Sequence, residues 1–275
     1  MKKLLILLTS LLLLLVSSPV YADMGPKPSV TVSFQHAPDH PYYVTLLGTE
    51  EFFGPWSTIS EEEIANHDDS IRPAYEAFYA CAKENGLYFS DYVTDCSSDD
   101  TFRWTYYPPS SFRIAVYDSM DHTLKVSDLC KREAFDSYFI VDLEGPELIV
   151  KEDAHLTPYL LSFVIRMILT VLIELLIAWI FGYRTKKEKK IIVITNIITQ
   201  CLLNGIMLSI DYYSGLLVWL FIFPVLELGV FVIELLVYLF LFKEHKKLKT
   251  FFYTLIANGL TFLLGIYLAM ITASF

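Results

Sequence analysis

Between Pro158 and Thr272 the chain carries four apolar runs: Pro158 to Gly182, Ile191 to Ile210, Leu216 to Phe242 and Thr250 to Thr272. A helix of about 20 such residues crosses roughly 30 Å of hydrocarbon. Lipid offers the backbone no water to bond, so runs of this length must satisfy their own N–H and C=O groups, which a helix does. The expected C-terminal region, residues 158–275, is therefore an all-α bundle of four transmembrane helices.

The loops between the runs carry opposite charge. The first holds Arg184, Lys186, Lys187, Lys189 and Lys190, and the third holds Lys243, Lys246, Lys247 and Lys249. The second, Asp211 to Gly215, has an acid and no base. Basic loops stay in the cytoplasm, so the N-terminal portion and the C-terminus are expected outside a cell membrane crossed several times. The N-terminus points the same way. Lys2 and Lys3 precede an apolar stretch from Leu4 to Val16 and a small-residue exit at Val20-Tyr21-Ala22, the pattern of a secretory signal peptide over residues 1–22. An uncleaved anchor is the alternative.

Residues 23–157 are long enough for one domain with its own core. They contain 25 Asp and Glu against 9 Lys and Arg, a balance of −16. Such a surface repels nucleic acid. Ser29 to Phe34 alternates Val30, Val32 and Phe34 with polar residues, the period of a half-buried strand. Further strands are expected at Tyr42 to Leu47, Leu87 to Val93, Thr101 to Tyr107, Phe112 to Tyr117, His122 to Val126 and Phe135 to Leu143. Ser60 and Glu63 form a capping-box pattern before a short helix. Ser70 is expected to cap a longer one, with Pro73 in its first turn and Gly86 past its end. Tyr75, Phe78, Tyr79 and Ala82 then share its inner face. The class is α+β: a strand-rich, sandwich-like extracytoplasmic domain with one or two helices, followed by the helical bundle.

Motifs for chemistry are sparse. His36 and His40 are four apart, but Pro38 and Pro41 make that segment a turn, so they are read as solvated rather than as a helical metal pair. Asp95, Ser97 and Asp99 follow the alternation of a calcium loop, yet Asp100 stands where the turn glycine belongs and Tyr106 where the bidentate glutamate would be. Neither metal nor cofactor is expected, nor any catalytic residue, and no enzymatic activity follows. Cys81, Cys96 and Cys130 lie in the exported portion, where a disulfide between Cys81 and Cys96 is expected, worth roughly 3 kcal/mol by loop closure.

The informative residues are polar groups inside apolar runs. Arg166 and Glu174 lie in the first, Asn196, Gln200 and Asn204 in the second, Glu227 and Glu234 in the third, and Asn258 in the fourth. Ionisable groups in lipid turn inward and find partners, so these eight are expected to form one polar seam. At least one carboxyl, Glu174 or Glu234, is expected to be neutral or held by amide donors. Arg166 and Glu227, at similar depth, are expected to pair. Ala257, Thr261, Gly265, Ala269 and Ala273 repeat every four residues, a small-residue face on which another helix can pack. Pro224 is expected to kink the third helix.

A resemblance rests on Asp23-Met24-Gly25-Pro26-Lys27-Pro28-Ser29-Val30, on Trp104-Thr105-Tyr106-Tyr107-Pro108-Pro109-Ser110, on Ala134-Phe135-Asp136-Ser137-Tyr138-Phe139, and on the polar positions Asn196, Gln200, Glu227 and Glu234. In these the chain resembles a group of uncharacterised membrane proteins from Gram-positive bacteria. The resemblance implies a layout and a plasma-membrane location, and no catalytic residues. Two functions are in view. One is a surface module whose exported acidic domain binds an external ligand or partner, while its helices meet the lipid bilayer and another membrane protein or a second copy. The other is a small oligomeric transporter or channel subunit using the seam.

Overall fold

The structure is a computed structural model that describes residues 27–52, 56–153 and 156–272. The expected signal peptide at 1–22 and Ala273 lie outside the described residues.

Two sheets and one long helix build the N-terminal part. β1 (Ser29–Gln35) pairs in parallel with β8 (Asp136–Asp142), and antiparallel with β4 (Thr101–Trp104). β9 (Ile149–Glu152) extends that sheet beyond β8. The second sheet runs β3 (Thr94–Asp95), β2 (Tyr42–Gly48), β5 (Ser111–Asp118), β6 (Thr123–Val126), with β7 (Cys130–Lys131) also on β5. Alternation explains why two layers form. Val30, Val32, Tyr42, Val44, Leu46, Phe102, Trp104, Ile114, Phe139 and Val141 face one another between the sheets. Trp104, fully buried, stacks on Tyr92 at 4.7 Å and on Phe52 at 5.6 Å.

The second sheet is buried on both faces. Leu47, Ala115 and Tyr117 point away from the first core, onto Ala74, Tyr75, Phe78 and Ala82 of α2 (Arg72–Asn85). α2 ends at Gly86, whose φ of 65° is the left-handed conformation that glycine adopts without a β-carbon penalty. Ser60 and Glu63 close the capping box of the short α1 (Glu61–Ile64). Ser70 does not cap α2. The cap position is Ile71, without a side-chain bond, because Ser70 is drawn back into a turn in which Asp68 accepts its N–H. Leu87 to Val93 is no strand either: only Tyr88 and Ser90 make bridges, to Gly48 and Thr58.

Three described helices are long and apolar enough to cross a membrane: α3 (Leu156–Ile180), α4 (Lys186–Leu241) and α5 (Lys247–Thr272). The four apolar runs thus lie on three helices, and the second and third share α4. Its 56 residues would stretch about 84 Å if straight. They do not, because Gly215 adopts φ 75° and ψ 177° and α4 folds back there. The reversal is fixed by bonds between its limbs: Asn196 Nδ2 donates to Tyr238 Oη at 3.2 Å, and Thr199 Oγ1 to Glu234 Oε1 at 2.7 Å. Pro224, where a kink is expected, lies inside the second limb with helical dihedrals. Leu161, Ile168, Leu172, Leu176, Phe221 and Phe240 are exposed on the outer surface, as lipid-facing residues are.

Candidate functional site

The helices are held by polar groups in their middle. Glu174 of α3 is fully enclosed, and its Oε2 accepts from Asn196 Nδ2 at 2.6 Å and from the hydroxyls of Tyr238 and Tyr253, each at 3.3 Å. Glu234 accepts from Thr199 on the other limb of α4, and from Asn258 Nδ2 of α5 at 2.9 Å. The two carboxyl groups are neighbours in this interior, close enough to interact electrostatically. One network therefore ties α3, both limbs of α4, and α5. Helical spacing produces it, since Asn196 and Thr199 are three apart and both face inward.

The seam expected from sequence is assembled only in part. Glu174, Asn196, Glu234 and Asn258 meet in the network. Gln200 is buried beside them, and Asn204 Nδ2 donates to the Gln200 carbonyl at 2.8 Å. Arg166 and Glu227 lie apart from this network, lining a cavity of about 20 Å³ with Thr170, Gln200 and Thr261. Their expected pairing is not found. No ion pair joins them among the described residues, and the Arg166 Nε is buried without a hydrogen-bond partner. The guanidinium lies near both Glu227 and Tyr159, the latter two turns closer to the strand-rich domain, the direction in which a helical side chain leans.

The small-residue face of α5 is already filled from within. Ala257 packs among Ile177, Tyr238 and Tyr253, and a β-carbon on Gly265 would stand 3.1 Å from Phe223 of α4. With Thr261 buried beside them, the described part of this face, Ala257 to Gly265, serves the chain's own packing. The side chain of Ala269 lies outside the described residues.

At one end the helices meet the strand-rich domain. Phe135 N–H donates to the Tyr212 carbonyl at 2.7 Å. Beside that contact, Asp136, Tyr138, Glu152, Asp211 and Tyr212 line a cavity of about 220 Å³. The opposite end carries the basic loops and is closed by a second cluster. His245 Nε2 lies 2.5 Å from Glu188 Oε1, and Lys249 Nζ lies 3.1 Å from His245 Nδ1. Thr185 and Glu188 complete a capping box at the start of α4.

In the domain, His36 and His40 take separate carboxylates, Asp142 and Asp118, each at 2.8 Å. The bond to Asp142 raises the His36 pKa, while the Glu144 N–H and His36 together lower that of Asp142. His36, Asp142 and Glu144 are a group that could surround an ion, but His36 and Glu144 are exposed and the ring already has its partner. Asp95 accepts from the N–H and hydroxyl of Ser97, which closes a turn over the segment with calcium-loop alternation. No disulfide forms, and all four cysteines are free. The reason is placement: Cys81 packs on the α2 side of the second sheet, whereas Cys96 is buried between the sheets.

Tyr238, Tyr253 and Thr199 were not singled out by sequence reasoning, because in apolar runs they read as packing. Glu188 could have been found, since Thr185-Lys186-Lys187-Glu188 is a capping-box pattern ahead of an apolar run. No family model, no curated protein and no solved structure matches the chain. Fold and site define a two-part protein: a strand-rich domain of two sheets joined to long apolar helices locked by a buried carboxyl network.

Proposed function

We propose that this chain is a membrane-held surface module. Its acidic domain lies outside the cell and binds an external ligand or partner, and its helices cross the bilayer four times as a closed anchor that associates with another membrane protein. The observation that carries this reading is the set of hydrogen bonds that the network makes from helix to helix. Glu174 and Glu234 between them accept from Asn196, Tyr238, Tyr253, Thr199 and Asn258, so the seam spends its polar groups on joining helices, as intramembrane hydrogen bonds commonly do. The basic loops, gathered at the end away from the strand-rich domain, support an outward domain and an outward C-terminus. The resemblance to Gram-positive membrane proteins agrees with a plasma-membrane location. With Ala257, Thr261 and Gly265 of α5 turned to the chain's own packing, the outward apolar faces are where a partner helix docks.

A transporter subunit is the second reading, favoured by the unpaired Arg166 and by Glu227 on the small cavity. Proteoliposomes separate the two. The module reading expects imposed sodium and proton gradients to persist, and mild crosslinking in native membranes to recover a protein besides this one. Gradient collapse that is lost in the Glu227→Gln, Glu234→Gln double variant, or recovery of this chain strictly alone, would count against it.

A further inference from the structure

The buried carboxyl pair has a charge imbalance that the network does not resolve. The groups facing it are Tyr238 on α4 and Tyr253 on α5, both neutral donors, with Glu227 two turns along α4. No lysine, arginine or histidine hydrogen-bonds to it among the described residues. Arg166 lies near Glu227 and Tyr159, His245 is bonded to Glu188, and Lys249 to His245. Two carboxylates side by side without a counter-charge are unstable in a buried site.

A second observation lies at the same place. Asn196 is fully buried, and its Nδ2 bonds Glu174 and the Ile192 carbonyl, but its Oδ1 has no hydrogen-bond partner. An orphaned amide oxygen in a native interior calls for a donor or a cation. Turned over, the same amide would offer Oδ1 to Glu174, which is a bond only if Glu174 carries a proton. It would also set Oδ1 against the Ile192 carbonyl, acceptor to acceptor, so the first orientation holds and its Oδ1 stays without a donor.

We propose that Glu174 and Glu234, with the Asn196 amide oxygen, form a binding site for one small monovalent cation: a proton shared between the carboxyls, or an alkali-metal ion in its place. All the ligand atoms are oxygens, which suits either occupant. The bound charge completes the junction of the helices, so bundle stability is linked to its concentration. This stands whether or not the module reading holds.

The test uses full-length protein in a non-ionic detergent. In one arm sodium replaces N-methylglucamine at fixed pH and ionic strength; in the other, pH is raised from about 6 to about 9 without sodium. The wild type should respond in at least one arm: by a melting temperature rising about 3 °C per tenfold sodium if the occupant is a metal ion, or falling about 3 °C per pH unit if it is a proton. Glu234→Gln and Glu174→Gln, each replacing a carboxylate by a neutral amide, should lose the response, whereas Glu227→Gln should keep it. A wild type flat in both arms, a response unchanged in both pair variants, or one lost only in Glu227→Gln would overturn the proposal. The wild-type arms and Glu227→Gln still decide it if neither pair variant folds.

Discussion

Phe135 of the strand-rich domain lies directly over Gly215, where α4 reverses: a β-carbon added to that glycine would stand 2.6 Å from the ring. The adjoining bond from Phe135 N–H to the Tyr212 carbonyl makes this a point of contact between the two parts of the chain. The backbone at Gly215, φ 75° and ψ 177°, is itself open to little but glycine.

Gly215→Ala should therefore cost stability twice, by dihedral strain and by overlap. A loss of about 3 kcal/mol or more is expected in thermal unfolding of the detergent-solubilised protein. Adding Phe135→Ala removes the overlap alone, so the double variant should recover part of the loss and retain about 1–3 kcal/mol of strain.

Thr199→Val and Asn258→Leu each remove one donor from Glu234. Each should destabilise the bundle by about 1 kcal/mol, in the range of hydrogen bonds between membrane helices. Because both donors serve one carboxyl, the double change should depart from the sum of the singles by more than about 0.5 kcal/mol in a double-mutant cycle. Strict additivity would mean that the two bonds act independently.

Asp118 sets an acid limit on the strand-rich domain. Burial pushes its pKa up, but the N–H groups of Asp121 and Met120 and the His40 ring outweigh that and hold it below its ordinary value. A folded-state value below the unfolded one contributes stability above about pH 3.8, lost as pH falls through the lower folded value. Asp118→Asn should cost about 1 kcal/mol near neutral pH. The difference between variant and wild-type melting temperatures should shrink as pH is taken down to about 3.

The thiols give a count. Alkylation of the unfolded, unreduced protein should add a label at each of the four cysteines; two labels fewer would restore a disulfide. In the folded protein Cys96 should stay unlabelled, because burial and the charges of Asp99, Asp95 and Asp100 push its thiol up to about 12.

Much of this was legible in the sequence where a period repeats. Val30, Val32 and Phe34 announce β1, and Tyr75, Phe78 and Ala82 the inner face of α2, because each pattern runs long enough to define a face. β3 and β7, two residues each, carry no period. Leu87 to Val93 misled because its apolar residues pack against α2 and Trp104 instead of joining a ladder. In the helices Glu174, Asn196, Glu234 and Asn258 stood out by being polar. Their other partners did not, since a tyrosine hydroxyl in an apolar run has the same letter whether it bonds or merely packs. The reversal at Gly215 falls in a short polar gap that sequence reads as a loop, yet all but the glycine itself stays helical.

The central claim is that the Glu174–Glu234 network is packed, without a water-filled path. Thr199→Cys puts a thiol at the heart of the network, in a background where the four native cysteines are replaced by alanine. Its rate of modification by a small water-soluble thiosulfonate in sealed membranes tests the claim most directly. A packed network predicts no measurable labelling until the protein is unfolded, beside rapid labelling of a Lys189→Cys control on the basic loop. Labelling of Thr199→Cys at a rate near that of the control would contradict it.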